Sequence, residues 1–303
     1  MRHLISIDDL SLKDVKTIHQ DALEFLKNPK THFEDLKNKI LINFFFENST
    51  RTRISFEAAA KRMGVKVLNL DVALSSLKKG ESIIDTAKTL NAMRPDFVVL
   101  RHDASGICDI LKSHLNCSLI NAGDGTNEHP SQALLDSLTI LQNKGSLQGL
   151  KIAICGDILH SRVAHSNIKL LRKFGCEVRV LTAPTLMPNG FEQFMAEKFQ
   201  VQVFNDLERA ISSVDVIMML RIQRERMQGA YFPSLEEYFK YFGLTHKRLK
   251  LAAPEAIVLH PGPINRGVEI SAKLADDVSV SLILNQVEAG VATRQAILKN
   301  LNN

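Results

Sequence analysis

Ile40-Leu41-Ile42-Asn43-Phe44-Phe45-Phe46-Glu47-Asn48-Ser49-Thr50-Arg51-Thr52-Arg53 is an apolar run that breaks into a polar stretch rich in hydroxyls and arginines. A run of this length fits a strand buried on both faces, as in a parallel sheet covered by helices. Thr52 to Met63 then reads as a helix closed by Gly64. At such a strand-to-helix turn, the first N–H groups of the helix and its dipole favour an anion. Ser49, Thr50 and Thr52 add hydroxyls, and Arg51 adds a planar fork that matches two phosphate oxygens. An ordinary N-cap needs Ser or Thr but does not need two arginines. The stretch therefore predicts a phosphate cradle, distinct from the Walker loop because GxxxxGK[ST] does not occur.

Working outward, Ser11-Leu12-Lys13-Asp14 reads as a capping box, followed by apolar residues at helical spacing from Leu12 to Leu26 and closed by Pro29. After the first helix pair, strands are expected at 65–71, 97–100 and 118–121, and helices at 81–93, 107–114 and 131–143. Lys144 to Gly149 looks like a turn between domains, and a second alternating set begins at Lys151. Its strands are expected at 152–155, 177–181, 201–204, 216–220 and 256–259, and its helices at 163–174, 191–198 and 207–211. A last helix over 285–301 is placed back with the first domain. The expected fold is α/β, with two doubly wound parallel-sheet domains: residues 1–130 with 285–303, and residues 131–284. Ligands would lie at the carboxyl ends of the strands, in a cleft between the domains.

Further polar segments sit at those strand ends. Arg101, in Leu100-Arg101-His102, ends a buried strand and is expected on the ligand edge. Asn121 to Gln132 contains a tight Gly123–Gly125 turn, and Pro130 suits a first helical turn. His129 then sits at a helix start, with Gln132 three residues on and on nearly the same side. There the helix dipole favours a neutral imidazole that donates, rather than a general base. In the second half, Arg162 opens a helix after the strand ending at Cys155, and Arg221-Ile222-Gln223 follows another strand. Arg224 and Arg226 read as surface charge. His260-Pro261-Gly262-Pro263 ends the last strand, and its prolines, which lack a donor, leave carbonyls for whatever lies beside them. Ser75-Ser76-Leu77-Lys78-Lys79-Gly80-Glu81 is a polar loop whose lysines, taken alone, read as solvated.

Composition narrows the function. There are 38 Lys+Arg against 33 Asp+Glu in 303 residues, a formal charge of +5. Trp is absent, only three Tyr occur, and no long basic run exists, which favours arginines acting on anionic substrates over a nucleic-acid surface. A dinucleotide-binding module would need GxGxxG after a strand, and that is missing. The four cysteines form no CxxC pair and read as reduced, buried thiols. With no metal-ligand spacing and no Ser/His/Asp set, neither a metal nor a cofactor is expected. The chemistry would rest on proximity and electrostatics, with two anionic substrates held side by side. No apolar run approaches the roughly 18 residues of a membrane helix. Met1-Arg2-His3-Leu4-Ile5-Ser6 lacks a signal-peptide core, so a cytoplasmic protein is expected.

Ser49-Thr50-Arg51-Thr52-Arg53 together with His129-Pro130-Ser131-Gln132 resembles the transcarbamoylase family, over nearly the whole chain and in the right order. The ornithine branch carries an Asp-x-x-x-Ser-Met-Gly loop and a His-Cys-Leu-Pro segment, neither of which occurs. Arg221 to Arg226, His260-Pro261-Gly262-Pro263 and Lys78-Lys79-Gly80-Glu81 look like the aspartate branch. The resemblance implies transfer of a carbamoyl group from carbamoyl phosphate to the α-amine of aspartate, for pyrimidine synthesis. It assigns the phosphate to Ser49, Thr50, Arg51 and Thr52, and makes Arg101 the bridge from phosphate to carbonyl oxygen. Thr52 and His129 would donate to that oxygen, and Gln132 with the Pro261 carbonyl would hold the carbamoyl NH₂. Arg162, Arg221 and Gln223 would hold the aspartate carboxylates, and Ser75 and Lys79 would reach the site of a neighbouring subunit in a homotrimer. Regulatory chains are compatible with the family but have no signature in the sequence. Gly262 departs from relatives that carry Leu or Ala, and only its backbone is expected to matter.

Overall fold

Strands and helices alternate, and every pairing between strands is parallel. The computed structural model describes residues 1–29, 32–34, 36–71, 80–187, 189–223 and 234–302. The chain forms two compact units, one of Met1–Leu135 with Glu288–Asn303 and a second of Asp136–Val287.

The first unit opens with α1 (Leu12–Lys27), whose Ser11 and Asp14 complete the predicted capping box. It continues as β1 (Ile40–Phe45), α2 (Thr50–Arg62), β2 (Lys66–Asp71), α3 (Ile83–Ala92), β3 (Phe97–His102), α4 (Ile107–Leu111) and β4 (Ser118–Asp124). Helix α5 (Pro130–Lys144) begins here and crosses the division. The sheet order is β2-β1-β3-β4, so the winding reverses between β1 and β3. Ile42, Phe44, Val98, Leu100 and Leu119 share one apolar core.

The second unit holds β5 (Lys151–Cys155), α6 (Arg162–Lys173), β6 (Glu177–Leu181), α7 (Phe191–Phe199), β7 (Gln202–Phe204), α8 (Leu207–Ile211), β8 (Val216–Met219), α9 (Leu235–Phe242), α10 (His246–Leu249), β9 (Ile257–Leu259) and α11 (Ala272–Ala275). Helix α12 (Ile283–Leu301) starts in it and crosses the division at residue 287. The order β7-β6-β5-β8-β9 reverses between β5 and β8. Alternate strand residues feed separate cores: Ile152, Ile154 and Met218 one, Ala153, Cys155, Ile217 and Met219 the other. Both faces of the sheet are therefore covered at its centre, which is why Ile152–Cys155 and Val216–Met219 read as unbroken apolar runs.

Several boundaries differ from the sequence reading. Helix α2 starts at Thr50, two residues early, so Thr50, Arg51 and Thr52 form its first turn. Helix α3 starts at Ile83, because the Ser82 hydroxyl accepts from the Asp85 N–H at 3.1 Å and caps it there. The expected helix over 107–114 is split, with α4 ending at Leu111 and a 3₁₀ turn over Lys112–His114. Strands β3 and β4 run on into polar residues, pairing His102 with Asp124 after a register shift. The turn at 144–149 is packed into the second unit, where Leu147 shares a core with Ile140. Helices α9, α10 and α11 have no counterpart in the sequence reading.

All four cysteines are free and buried, and burial raises each thiol, Cys117 to about 11 and Cys176 to about 12. Burial also lowers His19 from 6.5 to about 4, against the opposing hydrogen bond from its ring to the Leu134 carbonyl. The unfolded chain binds a proton near 6.5 that the folded chain refuses until about 4. Stability is thus fully present above the unfolded value and falls as pH drops through this window, by up to about 3 kcal/mol from this one group. Urea unfolding of the parent and of His19→Gln across that window is expected to show a flatter pH slope in the variant. Identical slopes would contradict this assignment.

Candidate active site

In the first unit the predicted residues gather at the carboxyl edge of the sheet, beside the β1/β3 reversal. Ser49 is the N-cap of α2, yet its side chain makes no capping hydrogen bond, and the first turn carries no acidic residue. The positive end of a 13-residue helix is thus left without a carboxylate of its own. Thr50 and Arg51 are exposed on this turn, and Thr52 is buried. Arg101 stands on β3 opposite Phe45 of β1, one strand from the turn. Its Nε donates to Glu47 Oε2 at 3.0 Å, and both side chains are largely buried. Glu47 thereby holds the Arg101 guanidinium beside the β1–α2 turn.

The β4–α5 loop is fixed from beneath by two buried carboxylates. Asp124 accepts from the Gly106 N–H at 2.7 Å, the Asn121 amide at 2.7 Å, the Asn127 amide at 3.0 Å and the Glu128 N–H at 3.1 Å. Glu128 accepts from the Ser6 hydroxyl at 2.5 Å and the Ile7 N–H at 3.0 Å. His129 follows directly and is 3% exposed. Its carbonyl accepts from the N–H groups of Gln132 and Ala133, so it closes the first turn of α5. Its Nδ1 lies 3.4 Å from the Ser131 hydroxyl. Gln132 is buried in the same turn.

In the second unit the corresponding edge is built from the ends of β5, β8 and β9, which are neighbours. Gly156 has φ +135°, and a Cβ there would lie 2.7 Å from the Leu220 carbonyl oxygen. Only glycine lets the β5 and β8 exits run this close. Asp157 follows, fully buried, and accepts from the His160 N–H at 3.1 Å, the His160 ring at 3.0 Å and the Gln223 N–H at 3.2 Å. The Gln223 side-chain amide donates to the His160 carbonyl at 2.8 Å. Arg162 is the first residue of α6, 4% exposed, behind a Ser161 hydroxyl that caps the Ala164 N–H. Arg221 is half-buried at the exit of β8. At the exit of β9, the Gly262 N–H donates to His260 Nδ1 at 2.9 Å. Gly262 has φ +66°, in the left-handed region that favours glycine.

Ser75, Lys79, Arg224 and Arg226 lie outside the described residues. Among those described, no group of three or more His, Cys, Asp or Glu side chains could hold a metal, and no helix is long and apolar enough to cross a membrane. Sequence reasoning passes over Glu47, Asp124, Glu128, Asp157 and His160. Their signal is present: each is an acidic or imidazole residue within a few positions of a strand's carboxyl end, among residues chosen for anions. His160, given no role in the sequence reading, connects Asp157 to Gln223.

Two family models match in chain order. Residues 2–142 match the carbamoyl-P binding domain of aspartate/ornithine carbamoyltransferase, and residues 148–301 match its Asp/Orn binding domain. The aspartate carbamoyltransferase catalytic subunit of Methylorubrum populi is 51% identical over 303 residues, 99% of this chain and 94% of the relative. That of Parvibaculum lavamentivorans is 52% identical over 306 residues, 99% and 91%. Among solved structures, aspartate transcarbamoylase from Trypanosoma cruzi in complex with carbamoyl phosphate and aspartate is 31% identical, with a TM-score of 0.87 over 99% of this chain and 96% of that one. Two matched domains in order, the parallel sheets that carry them and half identity over almost the full length lead to one conclusion: the chain belongs to the aspartate/ornithine carbamoyltransferase family.

Proposed function

We propose that the chain transfers the carbamoyl group of carbamoyl phosphate to the α-amine of L-aspartate, releasing N-carbamoyl-L-aspartate and phosphate for de novo pyrimidine synthesis. The observation that carries the reading is the α2 N-terminus, where an N-cap serine that does not cap, three hydroxyls and Arg51 meet at a sheet reversal beside Arg101. That is the chemistry of a dianion site. The first unit is the carbamoyl phosphate domain. Ser49, Thr50, Arg51 and Thr52 bind the phosphate, and Arg101 spans phosphate and carbonyl oxygen once the incoming anion competes with Glu47 for it. Thr52 and His129 donate to the carbonyl oxygen, and Gln132 and the Pro261 carbonyl hold the carbamoyl nitrogen. The second unit is the aspartate domain, where Arg162, Arg221 and Gln223 take the carboxylates.

The neutral amine of aspartate attacks the carbamoyl carbon. A tetrahedral oxyanion forms, and Arg101, Thr52 and His129 stabilise it. Collapse breaks the bond to phosphate, and the departing phosphate takes the amine proton. No metal or cofactor enters the reaction. The protein works in the cytoplasm as a homotrimer, with Ser75 and Lys79 completing the site of the adjacent subunit. Exposed Ile54 on α2 and Leu68 on the edge strand β2 support an assembly through the first unit.

Paired variants test the division of labour. Arg51→Ala removes charged hydrogen bonds that contribute roughly 1.5–3 kcal/mol, so kcat/KM for carbamoyl phosphate is expected to fall at least about tenfold. Arg221→Ala is expected to raise KM for aspartate and leave inhibition by inorganic phosphate near the parental value. Loss of phosphate binding in Arg221→Ala, with aspartate saturation unchanged, would overturn the assignment.

A further inference from the structure

His260 and Glu269 form a buried pair that the reaction above does not use. Their side chains are fully buried, and His260 Nε2 lies 3.1 Å from Glu269 Oε1. The Gly262 N–H donates to His260 Nδ1, which leaves that nitrogen without a hydrogen and puts the ring proton on Nε2, facing Glu269. The same Glu269 oxygen accepts from the Asn265 N–H at 2.5 Å. Its other oxygen is buried with no hydrogen-bond partner among the described residues. An unpaired buried oxygen is destabilising, so a carboxylate here is poorly explained by stability alone.

The Gly262 N–H and the Pro261 carbonyl belong to one peptide plane and point in opposite directions. Holding the N–H against the buried imidazole therefore turns the Pro261 oxygen away from it. The strand exit is pinned a second time, because the His260 N–H donates to Gln286 Oε1 at 2.8 Å. The Gln286 amide donates to Asp136 at 2.7 Å, and Asp136 accepts from the Asn167 amide at 2.8 Å. The peptide is thus fixed from the strand, from the imidazole and, through Glu269, from the far side of the loop.

We infer that His260 and Glu269 are positioning residues that aim the Pro261 carbonyl at the carbamoyl nitrogen, and so give the site its preference for an amino group over a methyl group. This rests on the reading that the Pro261 carbonyl accepts from that nitrogen. Acetyl phosphate removes the contacts of that nitrogen, to Gln132 and to Pro261, since it replaces the NH₂ of carbamoyl phosphate with CH₃ and keeps the phosphate and carbonyl; the Glu269 variants then separate the Pro261 share.

The experiment measures the affinity of the full-length protein for carbamoyl phosphate, acetyl phosphate and inorganic phosphate. The parent is expected to favour carbamoyl over acetyl phosphate by about 25- to 100-fold, the value of two hydrogen bonds. Glu269→Leu is expected to lower that ratio about five- to tenfold, the share of the Pro261 contact, and leave inorganic phosphate affinity unchanged. Glu269→Gln, which keeps an acceptor for His260 and Asn265, is expected to retain the parental ratio. If Glu269→Leu does not fold, His260→Leu serves instead: it removes the acceptor for the Gly262 N–H and is expected to lower the ratio by the same factor. A folded Glu269→Leu or His260→Leu with the parental ratio would overturn the clamp. A parent that does not distinguish the two ligands would overturn the Pro261 reading itself.

Discussion

His129→Ala is expected to lower kcat by about 10²–10³, the usual cost of one lost oxyanion donor. The effect should fall on kcat, because the carbonyl oxygen gains its charge only in the transition state. The structure gives this side chain little freedom. It is 3% exposed, its own carbonyl closes the first turn of α5, and the residue before it is anchored to Ser6 and Ile7. A ring held in this way needs little reorganisation to donate, which is what makes such a donor effective. Steady-state kinetics at saturating substrates, with circular dichroism to verify the fold, makes the check. A kcat within a small factor of the parent would remove His129 from the oxyanion site.

Lys79→Ala is expected to be nearly as inactive, and the two variants are expected to rescue each other. Lys79 is outside the described residues, so the expectation comes from the family resemblance and from the proposed trimer. If Lys79 completes the site of the adjacent subunit, each site needs His129 from one chain and Lys79 from the next. Dissociating equal amounts of Lys79→Ala and His129→Ala proteins and reassembling them restores about one interface in four, if chains mix at random around a three-fold ring. Activity near that fraction of the parent supports shared sites. No recovery, with mixed trimers verified by mass, would place Lys79 within its own site or outside catalysis.

Much of the fold is legible because parallel strands covered on both faces are apolar throughout, as in Ile152–Cys155 and Val216–Met219. The same rule fails at strand ends. Arg101, His102 and Asp124 are strand residues, yet their polarity makes the strands look finished at Leu100 and Asn121. Helix α9 is legible in principle, since Ser234 caps the Glu237 N–H and Leu235, Tyr238 and Phe242 follow at helical spacing. It is hidden because it follows a charged stretch that reads as surface. At the site, residues that would touch substrate stand out by type and place: arginines, hydroxyls and a histidine at strand ends. Those that hold them, Glu47 on Arg101, Glu128 before His129 and Asp157 under Gln223, emerge only when hydrogen bonds between distant segments are seen. The Gly156 approach to Leu220 is likewise a fact of packing between two strands, with no local signal beyond the glycine itself.

Two anion-binding edges, one per domain, are proposed to bring carbamoyl phosphate to aspartate. The decisive assay incubates the purified protein with carbamoyl phosphate and either L-aspartate or L-ornithine, and identifies the ureido product by mass. N-carbamoyl-L-aspartate and inorganic phosphate are expected in equal amounts, with no citrulline formed from ornithine. Citrulline alone, with aspartate untouched, would contradict the proposed reaction.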